Sequence, residues 1–392
     1  MGDSGIKREV WPDLLRVAAC FMVMVVHSTE PFYIGGEGSL VLSRSDALWV
    51  AIFDSFARAC VPLFVVLSSY LLLPLRYSTG EFFKRRASRL LVPFLIWTCV
   101  YALVWGDPAQ NFKALAFNFN FAAGHLWFVY MLLGIYLIMP LLSPWAEKVG
   151  KKELLAYMAI CFATCFIPFV REAGTGMGEG VVTYGIGGIP MLAKYPLWGE
   201  ASWNDFGLFY YVSGFLGYIL LGLFLRRFAG NLSGKKSLTI GFPCLIVGFI
   251  LTSHGVFRRI MASTGGIFPF ESDPAASVGW ETTLQYDSVS VALMVIGWAL
   301  IFHQAGKGGP SYKKIVKPIA DASYGMYLCH MLILSFFSGL FRGSLGIGAD
   351  GILGAWTTPV EIVLTSVCSF FCTALFCVFV RRITKAGKWI VG

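Results

Sequence analysis

Charge is what this sequence has least of. Charged residues fill 14% of its 392 positions, against about 25% in an ordinary soluble domain. Metal-binding and disulfide signatures are missing as well. The ten cysteines include no CxxC or CxxxH spacing, so no metal site is expected from them. Cys20, Cys60, Cys99, Cys161, Cys165, Cys244, Cys329, Cys368, Cys372 and Cys377 all fall in apolar runs, where they read as small packing residues. The alternating glycines from Gly174 to Gly180 lack a following Lys-Ser/Thr pair, which excludes a phosphate loop. No internal repeat, low-complexity tail or separate soluble domain interrupts the chain, so residues 1–392 read as one transmembrane domain. The first apolar run is long and lacks a small-residue cleavage site, so no cleaved leader is expected.

What is abundant is hydrocarbon. Hydrophobic residues make up 57% of the chain, and the mean hydropathy is +0.69. They gather in runs of about 18–25 residues, the length that spans a bilayer core. Continuous runs such as "CVPLFVVLSSYLLLPL" are unlike the short alternating segments of a transmembrane barrel. The expected fold is an all-α polytopic bundle of about ten spans. They are placed at 12–33, 47–74, 89–106, 124–143, 153–171, 206–226, 238–255, 285–304, 319–341 and 357–380.

Basic residues orient these spans. Of 31 Lys and Arg, 22 fall in one set of alternate connecting segments and seven in the other, while Arg16 and Arg58 lie within spans. The richer set includes both chain ends, so both termini are expected on the cytoplasmic side. The net charge of +9 then serves as an orientation signal, and no nucleic-acid partner is implied. Two outer loops are long, about 172–205 and 256–284. Their Gly, Tyr, Trp, Asp and Glu suit sugar contact by stacking and hydrogen bonding, and suit lids or plain connectors equally.

An ionised side chain in hydrocarbon costs at least about 2.5–3.5 kcal/mol, so each one needs a partner or a task. The first span holds Arg16 and His27, with Glu30 at its outer edge. Eleven residues make three helical turns plus about 20°, so Arg16 and His27 share a face about 16 Å apart. Packing accounts for this pair as well as function does: a snorkelling arginine and an interhelical histidine hydrogen bond. His330, with Tyr327 one turn before it, lies at a depth similar to His27, and His125 opens the fourth span. These three histidines come within reach of one another if their spans adjoin. Asp54 and Arg58, four residues apart in the second span, form an ion pair by default. Asp287 and Asp321 complete the set, and His254 and His303 read as interfacial.

Several blocks together resemble the acyltransferase 3 family of integral-membrane O-acyltransferases. They are "DLLRVAACFMVMVVH", with ten residues between Arg and His, "VPLFVVLSSYLLL", "FFKRRASRLLVPFLIW", "GHLWFVYMLLGIYLIMPLL" and "SYGMYLCHMLIL". They run in the family's order from residue 11 to about 336. Ser69 departs from the pattern, since glycine is commoner there, and packing is the expected consequence. The chain is similar to stand-alone bacterial members that acetylate surface polysaccharides.

The resemblance implies acyl transfer from cytoplasmic acetyl-CoA, or another short acyl-CoA, to a hydroxyl of a surface or lipid-linked glycan. It also implies residence in the bacterial cytoplasmic (inner) membrane, with no metal. On this reading His27 is the general base or a transient acyl carrier, and Arg16 and His330 join it in the catalytic group. Arg16 serves the donor, as do Arg85, Arg86 and Arg89, whose basic cluster doubles as an orientation signal. Asp54, Arg58, His125 and Tyr327 support the substrate. Two alternatives stay open: succinyl transfer on the same fold, with Arg58 as the extra cation, and a glycan or lipid transporter. The partners are the bilayer, the acyl-CoA and the glycan acceptor, and self-association into a homo-oligomer stays open.

Overall fold

The computed structural model describes residues 8–35, 38–118, 122–170, 182–186, 189–193, 206–272, 274–306, 309–383 and 386–392. Among the described residues, nine helical stretches are long and apolar enough to cross a membrane, and Val289–His303 is a shorter apolar helix. The expected all-α polytopic architecture holds.

In chain order the helices are α1 (Trp11–Thr29), α2 (Arg44–Ala57), α3 (Cys60–Leu72), α4 (Thr79–Val104) and α5 (Pro108–Ala114). They continue with α6 (Trp127–Lys148), α7 (Lys151–Thr164), α8 (Leu216–Phe228), α9 (Gly234–Thr264) and α10 (Pro274–Trp280). Then come α11 (Val289–His303), α12 (Lys317–Leu345) and α13 (Thr357–Ile383), followed by the one-turn α14 (Gly387–Ile390). Short strands decorate the connections. β1 (Ile34–Gly35), β2 (Gly38–Val41) and β5 (Phe270–Ser272) form one antiparallel sheet, with Leu40 opposite Glu271. β3 (Val182–Ile186) and β4 (Ile189–Ala193) form a hairpin. Apart from the backbone of that hairpin, the expected outer loop 172–205 lies outside the described residues.

Three boundaries differ from the hydropathy reading. The second span is two helices, broken at Arg58 and Ala59. Pro62 explains the break, because its ring crowds the carbonyl four residues back, that of Arg58. The seventh span runs on to Thr264 and ends at Gly265 in the left-handed conformation, φ 59°. Arg258 and Arg259 had ended the hydropathy signal, yet both stay helical, and Arg259 Nη1 donates to the Gly255 carbonyl at 3.1 Å. The expected loop 256–284 is therefore largely helical. In place of the eighth span, 285–304, the chain is a regular helix only from Val289.

The chain packs as two compact units. One holds the chain up to Pro31 with Leu71–Lys148 and Phe302–Gly392; the other holds Phe32–Tyr70 and Val149–Ile301. In the first, α1 packs on α12 and α13, which also pack on each other. Phe21 of α1 meets Phe370 of α13 edge-on at 5.6 Å. α4 is tied in through its aromatic tips: Trp97 Nε1 donates to the Ile390 carbonyl at 2.8 Å and Tyr101 to the Leu328 carbonyl at 2.9 Å.

In the second unit, α2 packs on α9 and α7 on α8. α9 and α11 approach closely at Gly297, where a Cβ would lie 2.7 Å from the Gly241 carbonyl oxygen. Such contacts matter more in lipid than in water. Lipid tails are as apolar as Leu, so helix association rests on close packing and interhelical hydrogen bonds. Exposed Leu141, Ile250, Leu375 and Phe379 are the lipid-facing counterpart of that packing.

Candidate active site

α1 starts with Pro12 in its first turn and Asp13 beside it. A proline there costs no hydrogen bond, and an acid there complements the helix dipole. α1 ends at Thr29, and Glu30 keeps helical backbone angles, φ -51° and ψ -43°, as it opens the short 3-10 turn Glu30–Phe32. That geometry places a carboxylate one turn after His27. Nδ1 of His27 lies 2.9 Å from Oε1 of Glu30. With Glu30 ionised, Nδ1–H is the donor, and Nε2 carries the lone pair.

The three histidines meet inside the first unit. The rings of His27 and His330 are 5.1 Å apart, and those of His330 and His125 are also 5.1 Å apart. His330 is fully buried and its Nδ1 donates to the Tyr327 carbonyl at 2.6 Å. The Tyr327 hydroxyl donates to the His125 carbonyl at 2.7 Å. Tyr327 thus holds both buried histidines, and Tyr101 packs edge-on against His125 at 4.9 Å. Nε2 of His330 and Nε2 of His125 are buried without a hydrogen-bond partner. On His330 that nitrogen must be the unprotonated one, since Nδ1 carries the proton. An unmet buried acceptor costs about 1–3 kcal/mol, so Nε2 of His330 is suited to a ligand that donates a hydrogen bond.

Arg16 stands apart, near the start of α1. Its Nη1 lies 3.4 Å from Asp13 Oδ1, and its side chain is 21% exposed. Asp13 is a hub that sequence reading passed over. It takes two contacts from Arg8, at 2.6 and 2.7 Å, and the Tyr312 hydroxyl at 2.6 Å. Arg8 also reaches Asp321 at 2.7 Å. Burial works against the charge on Arg8, but the Asp13 and Asp321 carboxylates outweigh it and hold the guanidinium above its ordinary pKa. The spacing of Asp13 and Arg16, three apart on a helix, was the available signal.

Arg85, Arg86 and Arg89 lie on α4, in the same unit. Arg85 pairs with Glu81 at 2.6 Å and lies over the Tyr77 ring at 4.1 Å. Arg86 lies 5.9 Å from the Phe82 and Tyr136 ring centres, and its Nε is buried without a partner. Arg89 is exposed. Among the described residues, no group of His, Cys, Asp and Glu is arranged to hold a metal ion.

Asp54 and Arg58 belong to the other unit and do pair, at 3.4 Å. Arg58 also meets Glu281 at 3.4 Å and donates to the Leu284 carbonyl at 2.9 Å. The Tyr33 hydroxyl bridges Glu281 and Asp54, at 2.7 and 3.3 Å. This network fastens the irregular stretch ahead of α11. Thr283 there donates to the carbonyl of Thr252, deep within α9, and Ser288 and Ser290 donate to the Thr283 carbonyl. Non-helical backbone is tolerated at membrane depth only when protein satisfies it. Ser69 has a packing role: its hydroxyl donates to the Ile219 carbonyl at 2.5 Å, beside Gly222.

The structure brings together three histidines that the sequence placed within reach of one another, and adds Glu30 behind His27. The family model described as Acyltransferase domain, that of acyltransferase 3, matches residues 9–378. The chain belongs to the acyltransferase 3 family. It is a membrane acyltransferase. Neither a curated protein nor a solved structure matches the chain. The matched stretch contains every residue of the histidine cluster together with Arg16, so the acyltransferase domain and the candidate site are one region of the chain.

Proposed function

We propose that this acyltransferase moves an acyl group, acetyl by family expectation, from cytoplasmic acyl-CoA to a hydroxyl of a surface or lipid-linked glycan, with His27 as general base. The observation that carries the reading is the contact between Glu30 and His27, set beside two buried imidazoles. A carboxylate on Nδ1 directs the ring and leaves Nε2 as the basic nitrogen, the arrangement used wherever an imidazole activates a hydroxyl. In the proposed reaction the acceptor oxygen attacks the thioester carbonyl carbon. His27 Nε2 takes the hydroxyl proton, the carbon–sulfur bond breaks, and the proton passes to the departing CoA sulfur. The unmet Nε2 of His330 would accept a hydrogen bond from an acceptor hydroxyl or from an amide of the donor's pantetheine arm.

The charge asymmetry of the connecting segments supports cytoplasmic termini, and the family resemblance supports a bacterial inner membrane. Arg16 then faces the side from which acyl-CoA arrives, and His27 lies about 16 Å further along α1. Arg16, with Arg85, Arg86 and Arg89, would meet the donor's phosphates there, where guanidinium is suited to bidentate contact.

The test uses purified protein in liposomes with labelled acetyl-CoA and an isolated glycan acceptor. Labelled glycan and released CoA are expected from the wild type, with neither from His27→Ala. Transfer by His27→Ala at the wild-type rate would overturn the base assignment. The mass increment on surface glycans from cells with and without the gene distinguishes acetyl from succinyl. Glycan movement without CoA release would favour a transporter.

A further inference from the structure

The end of α1 poses an electrostatic problem. Glu30 places a carboxylate at the negative pole of the helix, where the last carbonyls also lack intrahelical donors. Arg342, in the final turn of α12, brings a cation and a donor to the turn Glu30–Phe32 that follows α1. Its Nη2 donates to the Pro31 carbonyl at 2.7 Å, and its Nε donates to Glu361 Oε1 of α13 at 3.1 Å. The Glu361 side chain is only 2% exposed, so its charge requires the arginine as a partner. Arg342 therefore joins α12, α13 and the corner that ends α1. The corner is also stiff, because the ring of Pro31 locks its φ.

We propose that Arg342 and Glu361 are positioning residues for acyl transfer, holding the Glu30–Pro31 corner so that the Glu30 carboxylate meets Nδ1 of His27. The inference rests on the reading of His27 as the base. Glu361 orients one edge of the guanidinium, and the other edge is thereby aimed at the Pro31 carbonyl. A lysine offers a point charge and cannot serve both partners in a set geometry. The pair touches none of the reacting atoms and acts through Glu30.

The experiment is a double-variant cycle on the purified, reconstituted protein with acetyl-CoA and its glycan acceptor. Arg342→Gln is expected to lower kcat by up to about 10²-fold, the scale of a small misplacement at a reaction centre, with KM for acetyl-CoA unchanged. Arg342→Lys should recover part of the loss. In a Glu30→Gln background, Arg342→Gln should add almost nothing, because both act on one contact. Glu361→Gln keeps the side-chain shape and runs the same cycle if Arg342→Gln fails to fold.

Unchanged kcat in these variants, or losses that multiply in the double variant, would overturn the proposal. So would kcat falling only in step with thermal stability. If His27→Ala is inactive while the Arg342 and Glu361 variants are unimpaired, the positioning role fails and the base assignment stands. Wild-type transfer by His27→Ala removes the base assignment itself.

Discussion

Asp13 holds Arg8 by two contacts, Nε to Oδ2 at 2.6 Å and Nη2 to Oδ1 at 2.7 Å. The side chains differ sharply in exposure, 4% for Asp13 and 42% for Arg8. The same carboxylate faces Arg16 and Tyr312, so one buried acid organises the start of α1 and the approach to α12.

That asymmetry ranks two variants. Asp13→Ala removes the shared partner of three groups and should cost about 1.5–3 kcal/mol, the scale of hydrogen bonds to a charged group, since the arginines it leaves reach solvent. Arg8→Ala removes an exposed partner and leaves Tyr312 and Arg16 in place, so its cost should be smaller. Thermal unfolding in a fixed detergent checks the order, and an Arg8 variant less stable than the Asp13 variant would contradict it.

Glu30→Gln tests the carboxylate behind His27. An amide can bond to Nδ1 yet cannot stabilise the imidazolium that forms during proton transfer. Acyl transfer should fall by about 10²–10⁴-fold, the range attributed to a working general base. Initial rates over a range of acetyl-CoA should show the loss in kcat, and an unchanged kcat would remove Glu30 from the site.

Arg58 should tolerate no replacement, including lysine. Its planar fork serves Asp54, Glu281 and the Leu284 carbonyl together, and a single ammonium does not reproduce that geometry. Arg58→Lys is expected to lower the thermal midpoint and to expose the stretch ahead of α11 to hydrogen exchange. Wild-type exchange across residues 281–288 would contradict the role given to this network.

Ser69 and Gly222 test packing with no chemistry involved. Ser69→Gly loses the hydrogen bond to Ile219 and should cost about 0.5–1.5 kcal/mol, with acyl transfer retained. Gly222→Ala should be worse, because the added methyl meets the Val66 carbonyl and lies 2.8 Å from the Ser69 Cβ. Detergent melting curves read both, and a neutral Gly222→Ala would show that the helices can separate there.

Much of this molecule follows from local rules. Hydropathy runs located the spans because a bilayer demands about 20 apolar residues wherever a helix crosses it. The 3.6-residue repeat put Arg16 and His27 on one face, and the same repeat links His27 to Glu30 and Asp13 to Arg16. Where hydropathy misplaced an edge, a local cause was present but weaker than the apolar signal: Pro62 after Arg58, or charged residues that remain helical at Arg258 and Arg259.

The sites themselves came from packing between helices. His27, His125 and His330 stand on different elements, and hydropathy carries no information on which face of one helix meets which face of another. Arg342 reaches Pro31 across 311 positions and Tyr312 reaches Asp13 across 299. By itself, then, the sequence determined the family, the spans and the residues able to do acid–base chemistry, because periodicity and hydropathy act within one segment. Only the tertiary structure decided that the three histidines share one site, that the Tyr327 hydroxyl reaches the His125 carbonyl, and that Arg58 fastens an irregular stretch. Those contacts depend on how helices cross and how closely their small residues let them approach, which no single segment encodes.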